Sequence, residues 1–263
     1  MGAAGPLLLE RAGADGSIAV LTLDRPEALN AIDNALLSAL HAALDGLEDD
    51  AALRGVVVTG AGGRAFSSGM DLKERAGFTD DQLRAQRTRI VGLIRRMHEL
   101  PVATIAAVEG FALAGGFELA LACDLIVASE AAVFGLPEVK VGIFPGGGST
   151  QTLIWLVGPA RARDVILAGR RLSAAEAEAW GVVARVVPAG GAREAAVALA
   201  ETIAEGAPLG IRQAKAAIRG AHRALADGLA AENELYEVVL RSRDRVEGFR
   251  AFAEKRKPHY EGR

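Results

Sequence analysis

Two glutamates stand in apolar settings in this chain. Glu118 lies in "FALAGGFELALACD" (111–124) and Glu138 in "FGLPEVKVGIFPGGGSTQ" (134–151). Read as a helix, the first stretch places Ala114, Gly115, Leu121 and Ala122 three and four positions from Glu118, and none of them offers a counter-charge. Burial disfavours the ionised form of a carboxyl, so its pKa rises toward that of a usable acid or base. Either glutamate alone also fits an ordinary place at a helix start or a solvated edge. The pair says more, because two carboxyls together can add and remove protons beside a carbonyl.

Two glycine-bearing backbones run into helix starts: "SSGMD" (67–71) before "LKER", and "LAGG" (113–116) before "FELALA". The first N–H groups of a helix have no intrahelical acceptor and attract negative charge. Two such donors aimed at one point form an oxyanion hole, which holds an enolate or a tetrahedral oxyanion. Each segment alone also reads as a plain turn.

Other chemistries are poorly served. "GAGGRA" (60–65) satisfies the dinucleotide pattern G-x-G-x-x-G/A, with Asp80 and Asp81 near the distance of a ribose-binding acid, but "FSSGMD" follows where a helix should start. There is no G-x-S-x-G, H-E-x-x-H, G-x-x-x-x-G-K-[ST] or C-x-x-C. His41, His98, His222 and His259 are scattered, so no metal site is expected, and His98 reads as a helix-end dipole partner. Trp155 and Trp180 read as packing residues.

The elements that must position these groups follow from periodicity. Strands are predicted at 17–23, 55–60, 101–110, 124–129 and 182–187. Helices are predicted at 34–48, 80–99, the stretch after Gly115, 149–157, 159–168 and 172–181, the last opening on the capping box Ser173/Glu176. From about 191 the pattern is almost wholly helical: 191–205, 208–222, 228–246 and 248–257. This predicts an α/β core over 1–190 and a helical region over 191–263, the latter a surface for self-association.

The bulk numbers agree with a soluble enzyme. A net charge of −3 argues against general nucleic-acid or membrane-surface binding. The single cysteine, Cys123, excludes an internal disulfide and suits a reducing cytoplasm. No signal peptide or membrane span is expected. A minor reading as an RNA-binding protein rests on Arg84, Arg87, Arg89, Arg95 and Arg96, which fit a solvated helix face better.

Together, "RPEALNA" (25–31), "AFSSGMDLKE" (65–74), "AVEGFALAGGFELALACDLIVAS" (107–129) and "FGLPEVKVGIFPGGGSTQ" (134–151) resemble the crotonase superfamily, specifically its enoyl-CoA hydratases. The likeness continues through "LAGRRLSAAEAEAWGVVARVV" (167–187) and "EGFRAFAEKRKP" (247–258). It implies a spiral of β-β-α units, a helical C-terminal region that assembles trimers or paired trimers, and an acyl-CoA substrate with no separate cofactor. It also implies that the backbone N–H groups of Met70 and Gly115 bind the thioester oxygen and that Glu118 and Glu138 are catalytic. Gly146 then helps to hold water, and Ala28, Asp71, Lys73 and Lys255 serve CoA. Some hydratases carry a lysine between the proline and alanine of "RPEALN", where this chain has Glu27. The acyl pocket is expected from 70–98 and the segment around Phe134–Phe144, with Phe78, Met97 and Phe144 as candidates. An isomerase or specialised dehydratase or lyase of the same superfamily is the alternative.

Overall fold

The computed structural model describes residues 5–220, 238 and 241–263. A six-stranded sheet carries the core, in the order β1 (Leu7–Ala12), β2 (Ile18–Leu23), β3 (Gly55–Gly60), β5 (Ala103–Val108), β7 (Leu125–Ser129) and β10 (Arg185–Val187). Within this sheet only the β1–β2 pair is antiparallel. A second, four-stranded sheet runs β4 (Ala65–Ser67), β6 (Phe111–Leu113), β8 (Val133–Gly135) and β9 (Arg171–Ser173).

The chain gives one strand to each sheet in turn and then a helix, which is the strand–strand–helix repeat that the resemblance implies. β3 and β4 precede α2 (Leu72–Arg75) and α3 (Asp80–Glu99). β5 and β6 precede α4 (Gly115–Leu121), and β7 and β8 precede α5 (Ser149–Val157) and α6 (Pro159–Leu167). The first helix, α1 (Asn34–Glu48), buries Leu36, Leu37, Leu40, Leu44 and Leu47 and is capped by Asp33, whose side chain accepts from the Leu36 N–H.

The apolar strands are covered on both sides, as their unbroken hydrophobic runs require. Val56, Val58, Ala106 and Val108 face the main core. Val57, Ile105 and Ala107 face the opposite way, onto Ala192, Ala196, Leu199 and Ala200 of α8 (Ala192–Ala204). The expected boundary at 190/191 therefore falls just before a helix that closes the far side of the main sheet.

Strand β1 and the three-residue strands of the second sheet are absent from the periodicity reading, because three residues show no period and β1 exposes much of both faces. The capping box at Ser173 holds, at the start of α7 (Ala174–Ala179). The expected helix 208–222 is seen as α9 (Pro208–Arg219), and His222 lies outside the described residues. Most of the expected helix 228–246 lies outside them too, and the break expected near 247 is replaced by one helix, α10 (Arg243–Glu254). No described helix is long and apolar enough to cross a membrane.

Candidate active site

Helix α4 sits against β4, β5, β6 and β7, so every one of its residues is buried. That explains its apolar run on all faces. Phe117 packs on Phe134 with ring centroids 5.2 Å apart. Gly116 lets α4 approach β4: a Cβ there would lie 2.3 Å from the Ser67 carbonyl oxygen. The helix opens on Ala114, held at φ 50° and ψ −129°, a conformation costing about 1–3 kcal/mol for a non-glycine residue. Strain at this point sets the direction in which the first N–H groups of α4 emerge.

The facing donor comes from the link between β4 and α2. Ile32 donates to the Gly69 carbonyl at 2.8 Å, and Asp71 donates to the Ile32 carbonyl at 3.0 Å. Met70 lies between these two bonds, so its own N–H points to the other side, toward α4. A Cβ on Gly115 would be 3.6 Å from the Met70 nitrogen, and one on Gly69 would be 3.0 Å from the Gly115 nitrogen. Among the described residues neither N–H finds a protein acceptor. The two backbones thus bring a pair of donors to one wall of a cavity of about 730 Å³.

Glu118 and Glu138 line the same cavity, as do Met70, Gly115 and Gly146. Glu118 is held by the glycine-rich loop. Its Oε1 accepts from the Gly147 N–H at 2.8 Å, the Ser149 hydroxyl at 2.9 Å and the Ser149 N–H at 3.4 Å. Burial raises its pKa, while these donors and the charge of Arg75 pull it back down. Sequence reasoning missed Gly147 and Ser149, which are 29 and 31 residues away in the chain. It also missed Arg75, whose positive charge acts on Glu118. The glycine run itself was the visible signal: a Cβ on Gly147 would lie 2.7 Å from Oε2 of Glu118.

Glu138 opens a 3-10 turn, Glu138–Val141, after Pro137. Its Oε2 is buried and has no hydrogen-bond partner among the described residues. Burial is the main cause that pushes its pKa up to about 7, and the charge of Glu118 adds to it. An orphaned, desolvated oxygen of this kind is costly unless a ligand uses it.

The other expected residues are placed less centrally. Asp71 caps α2, accepting from the N–H groups of Lys73 and Glu74, and pairs with Arg25 at 3.1 Å. Ala28 closes a 3-10 turn, Pro26–Ala28, below the rim residue Ser68, whose hydroxyl lies 3.5 Å from the Ala28 carbonyl. Lys73 is exposed, and so is Lys255, which follows α10 at φ 54°. None of these four lines the cavity. Of the three pocket candidates only Phe144 lines it: Met97 belongs to the core behind α3, and Phe78 lies outside the lining. Residues 60–65 turn from strand into strand, not into a helix. Four of the five α3 arginines have local partners, Arg84 with Asp80 and Asp81, Arg89 with Ser38 and Asn34, Arg95 with Glu99, and Arg96 with Asp45 and Glu48. His98 is desolvated at the end of α3, which lowers its pKa. Trp180 packs under Arg161 and Arg170, whereas Trp155 is exposed. No cluster of three or more potential metal ligands occurs among the described residues.

Two backbone donors opposite a carboxyl pair, on a two-sheet spiral, are an arrangement able to stabilise an oxyanion beside acid–base groups. Comparison with known proteins places it more narrowly. The family model for enoyl-CoA hydratase/isomerase matches residues 13–263. An enoyl-CoA isomerase/hydratase of Zymoseptoria tritici is 41% identical over 263 aligned residues, covering 94% of this chain and 85% of that protein. The human enoyl-CoA hydratase domain-containing protein 2, mitochondrial, is 40% identical, covering 96% of this chain and 88% of its own length. The crystal structure of an enoyl-CoA hydratase from Bacillus anthracis superposes with a TM-score of 0.95 at 41% identity, covering 98% of this chain and all of that one. The chain belongs to the enoyl-CoA hydratase/isomerase family of the crotonase superfamily, and its fold is the crotonase fold.

Proposed function

We propose that the protein is an enoyl-CoA hydratase, adding water reversibly across the 2,3 double bond of a trans-2-enoyl-CoA. The observation that carries this reading is the unequal carboxyl pair on one cavity. Three donors favour the ionised form of Glu118 against the burial that raises its pKa, while Glu138 keeps a bare oxygen and a pKa of about 7. One is equipped to take a proton from water and the other to give one to carbon.

The thioester oxygen accepts from the N–H groups of Met70 and Gly115, which draws electrons from the double bond and makes the β-carbon electrophilic. Glu118 takes one proton from a water whose oxygen bonds to the β-carbon. The electron pair of the double bond moves to the enolate, whose charge the two donors stabilise. The enolate re-forms the thioester as the α-carbon takes the proton of Glu138. The proton on Glu118 then restores Glu138, through solvent or product exchange. The carboxyls act as a coupled pair, so their apparent pKa values belong to the site as a whole. CoA itself arrives as part of the substrate, along the rim near Ala28, Asp71 and Lys73, with Lys255 serving its nucleotide end. The exposed side chains of Trp155, Leu156 and Ile218 share one concave surface and fit self-association as a trimer or a pair of trimers. The buried, single Cys123 suits a reducing cytoplasm.

The test supplies crotonyl-CoA and follows loss of the conjugated thioester absorbance. Glu118→Gln and Glu138→Gln should each lower turnover by about 10²–10⁴-fold, the usual worth of general acid–base catalysis. Retained activity in both variants would sink the assignment. Conversion of a 3-enoyl-CoA to the conjugated isomer, with crotonyl-CoA left untouched, would establish an isomerase instead.

A further inference from the structure

The cavity wall beyond the two glutamates is not uniformly apolar. Helix α3 contributes Leu83, Arg87 and Ile90, spaced four and three residues apart on one face, and α2 adds Arg75. These face the loop that carries Phe144. The donors of Met70 and Gly115 fix the thioester, and the rim at Ser68 and Ala28 takes the CoA arm. The α3 wall is therefore where the acyl chain continues past the β-carbon.

The two arginines are prepared differently but to one end. Arg75 is half-buried and anchored by its Nε, which donates to Gln86 Oε1 at 2.7 Å. Gln86 is itself buried and fixed, its amide donating to Asn34 Oδ1 at 3.2 Å and Glu74 Oε2 at 3.1 Å. This leaves the terminal nitrogens of Arg75 without a protein acceptor among the described residues. Desolvation lowers the pKa of Arg75, and the nearby charges of Glu74 and Glu118 offset this only in part. Arg87 pairs with no group among the described residues, and its Nε lies 3.3 Å from where a Cβ of Gly146 would sit. It is the exception among the α3 arginines. The third cation on the wall, Lys140, is already engaged with the Gly169 carbonyl at 3.0 Å.

We propose that the acyl pocket receives an enoyl-CoA whose chain ends in a carboxylate, held by the free guanidinium nitrogens of Arg75 and Arg87. A plain alkyl tail would cover both cations and return no hydrogen bond, which opposes binding. A terminal carboxylate would accept charge-assisted, fork-like bonds from them. The inference deepens the enoyl-CoA reading and rests on it for the substrate class. Water addition would yield a hydroxyacyl-CoA that still bears the terminal acid. The reaction supplying the substrate must then either desaturate an acyl-CoA that already bears the terminal acid or carboxylate an acyl-CoA that is already unsaturated.

The test uses saturated probes that cannot be hydrated, so its outcome is separate from that of the crotonyl-CoA assay. Glutaryl-CoA and adipyl-CoA are each compared by calorimetry with the matching terminal methyl ester and with free CoA. At least one acid should bind ten-fold or more tighter than its own ester, the scale of a charged hydrogen bond. Arg87→Met should bring that ratio to near one, with Arg87→Lys between the two. Arg87 is exposed, and a thermal melt of each variant checks that the fold is intact. Equal binding of acids and esters overturns the proposal. So does an Arg87→Met variant that weakens free CoA as much as the acids, because the arginines would then be reading the CoA phosphates.

Discussion

Gly147→Ala tests the hold on Glu118 most directly. Gly147 does not occupy the left-handed region, so alanine meets no backbone strain there. The obstacle is steric. The new Cβ would lie 2.7 Å from Oε2, 3.0 Å from Cδ and 3.3 Å from Oε1 of Glu118, whereas ordinary contact begins near 3.4 Å. The carboxyl must retreat by about 0.7 Å, the difference between 3.4 and 2.7 Å. That movement stretches the 2.8 Å bond from the Gly147 N–H. A displacement near 1 Å of a catalytic group costs roughly 10²-fold in rate. A charged hydrogen bond is worth about 1.5–3 kcal/mol, which is the same scale. We therefore expect kcat on crotonyl-CoA to fall about 10²-fold, with the melting temperature changed by only a few degrees. The assay is loss of conjugated thioester absorbance at saturating substrate, beside a thermal melt. A variant within two-fold of the parent would refute the reasoning, because the loop would then not be what positions Glu118.

Four further outcomes follow from the same geometry. Ser149→Ala removes a 2.9 Å donor that favours the ionised form of Glu118, so the acid limb of the kcat/KM profile should move to higher pH; an unmoved limb would assign that limb to another group. Glu138 has a folded pKa of about 7 against an ordinary 4.5, so the stability it contributes is present below about 4.5 and lost as pH rises through 7. Glu138→Gln, which does not titrate, should therefore gain melting temperature relative to the parent across that window, measured by parallel melts at pH 4.5, 6 and 8. Gly69→Ala would place a Cβ 2.8 Å from that of Ala114, at a φ of 96° that alanine resists; by parting the two backbone donors it should cost about 10²–10³-fold in kcat. Lys215→Met strips the 2.6 Å partner from Asp124, whose side chain keeps 30% exposure; urea titration should show a loss of about 2 kcal/mol, below the 3–5 expected of a fully buried pair.

Much of the fold was legible because its large elements carry strong local signals. The leucine spacing of 34–48 gave α1 to the residue. The β-branched runs gave the central strands at 55–60 and 101–110, seen as β3 and β5. The second sheet was not legible, since β4, β6, β8 and β9 are three residues each and are defined only by their neighbours. The same limit hid the partners of Glu118.

The sequence by itself determined which groups are available: two glutamates in apolar runs, and glycine-bearing backbones that lead into helices. Those are properties of residue type and spacing, and they survive without coordinates. Tertiary structure alone decided what each group can do. It closed α4 between two sheets, so that the carboxyl of Glu118 is desolvated yet held by a loop 29 residues away. It left one oxygen of Glu138 bare, and it turned the Met70 and Gly115 donors to the same wall. It also separated Arg87 from the other α3 arginines, by giving those four partners and aiming this one into the cavity. A pKa, a free donor and an unpaired cation all depend on which distant groups arrive and which solvent is excluded, and local sequence records neither.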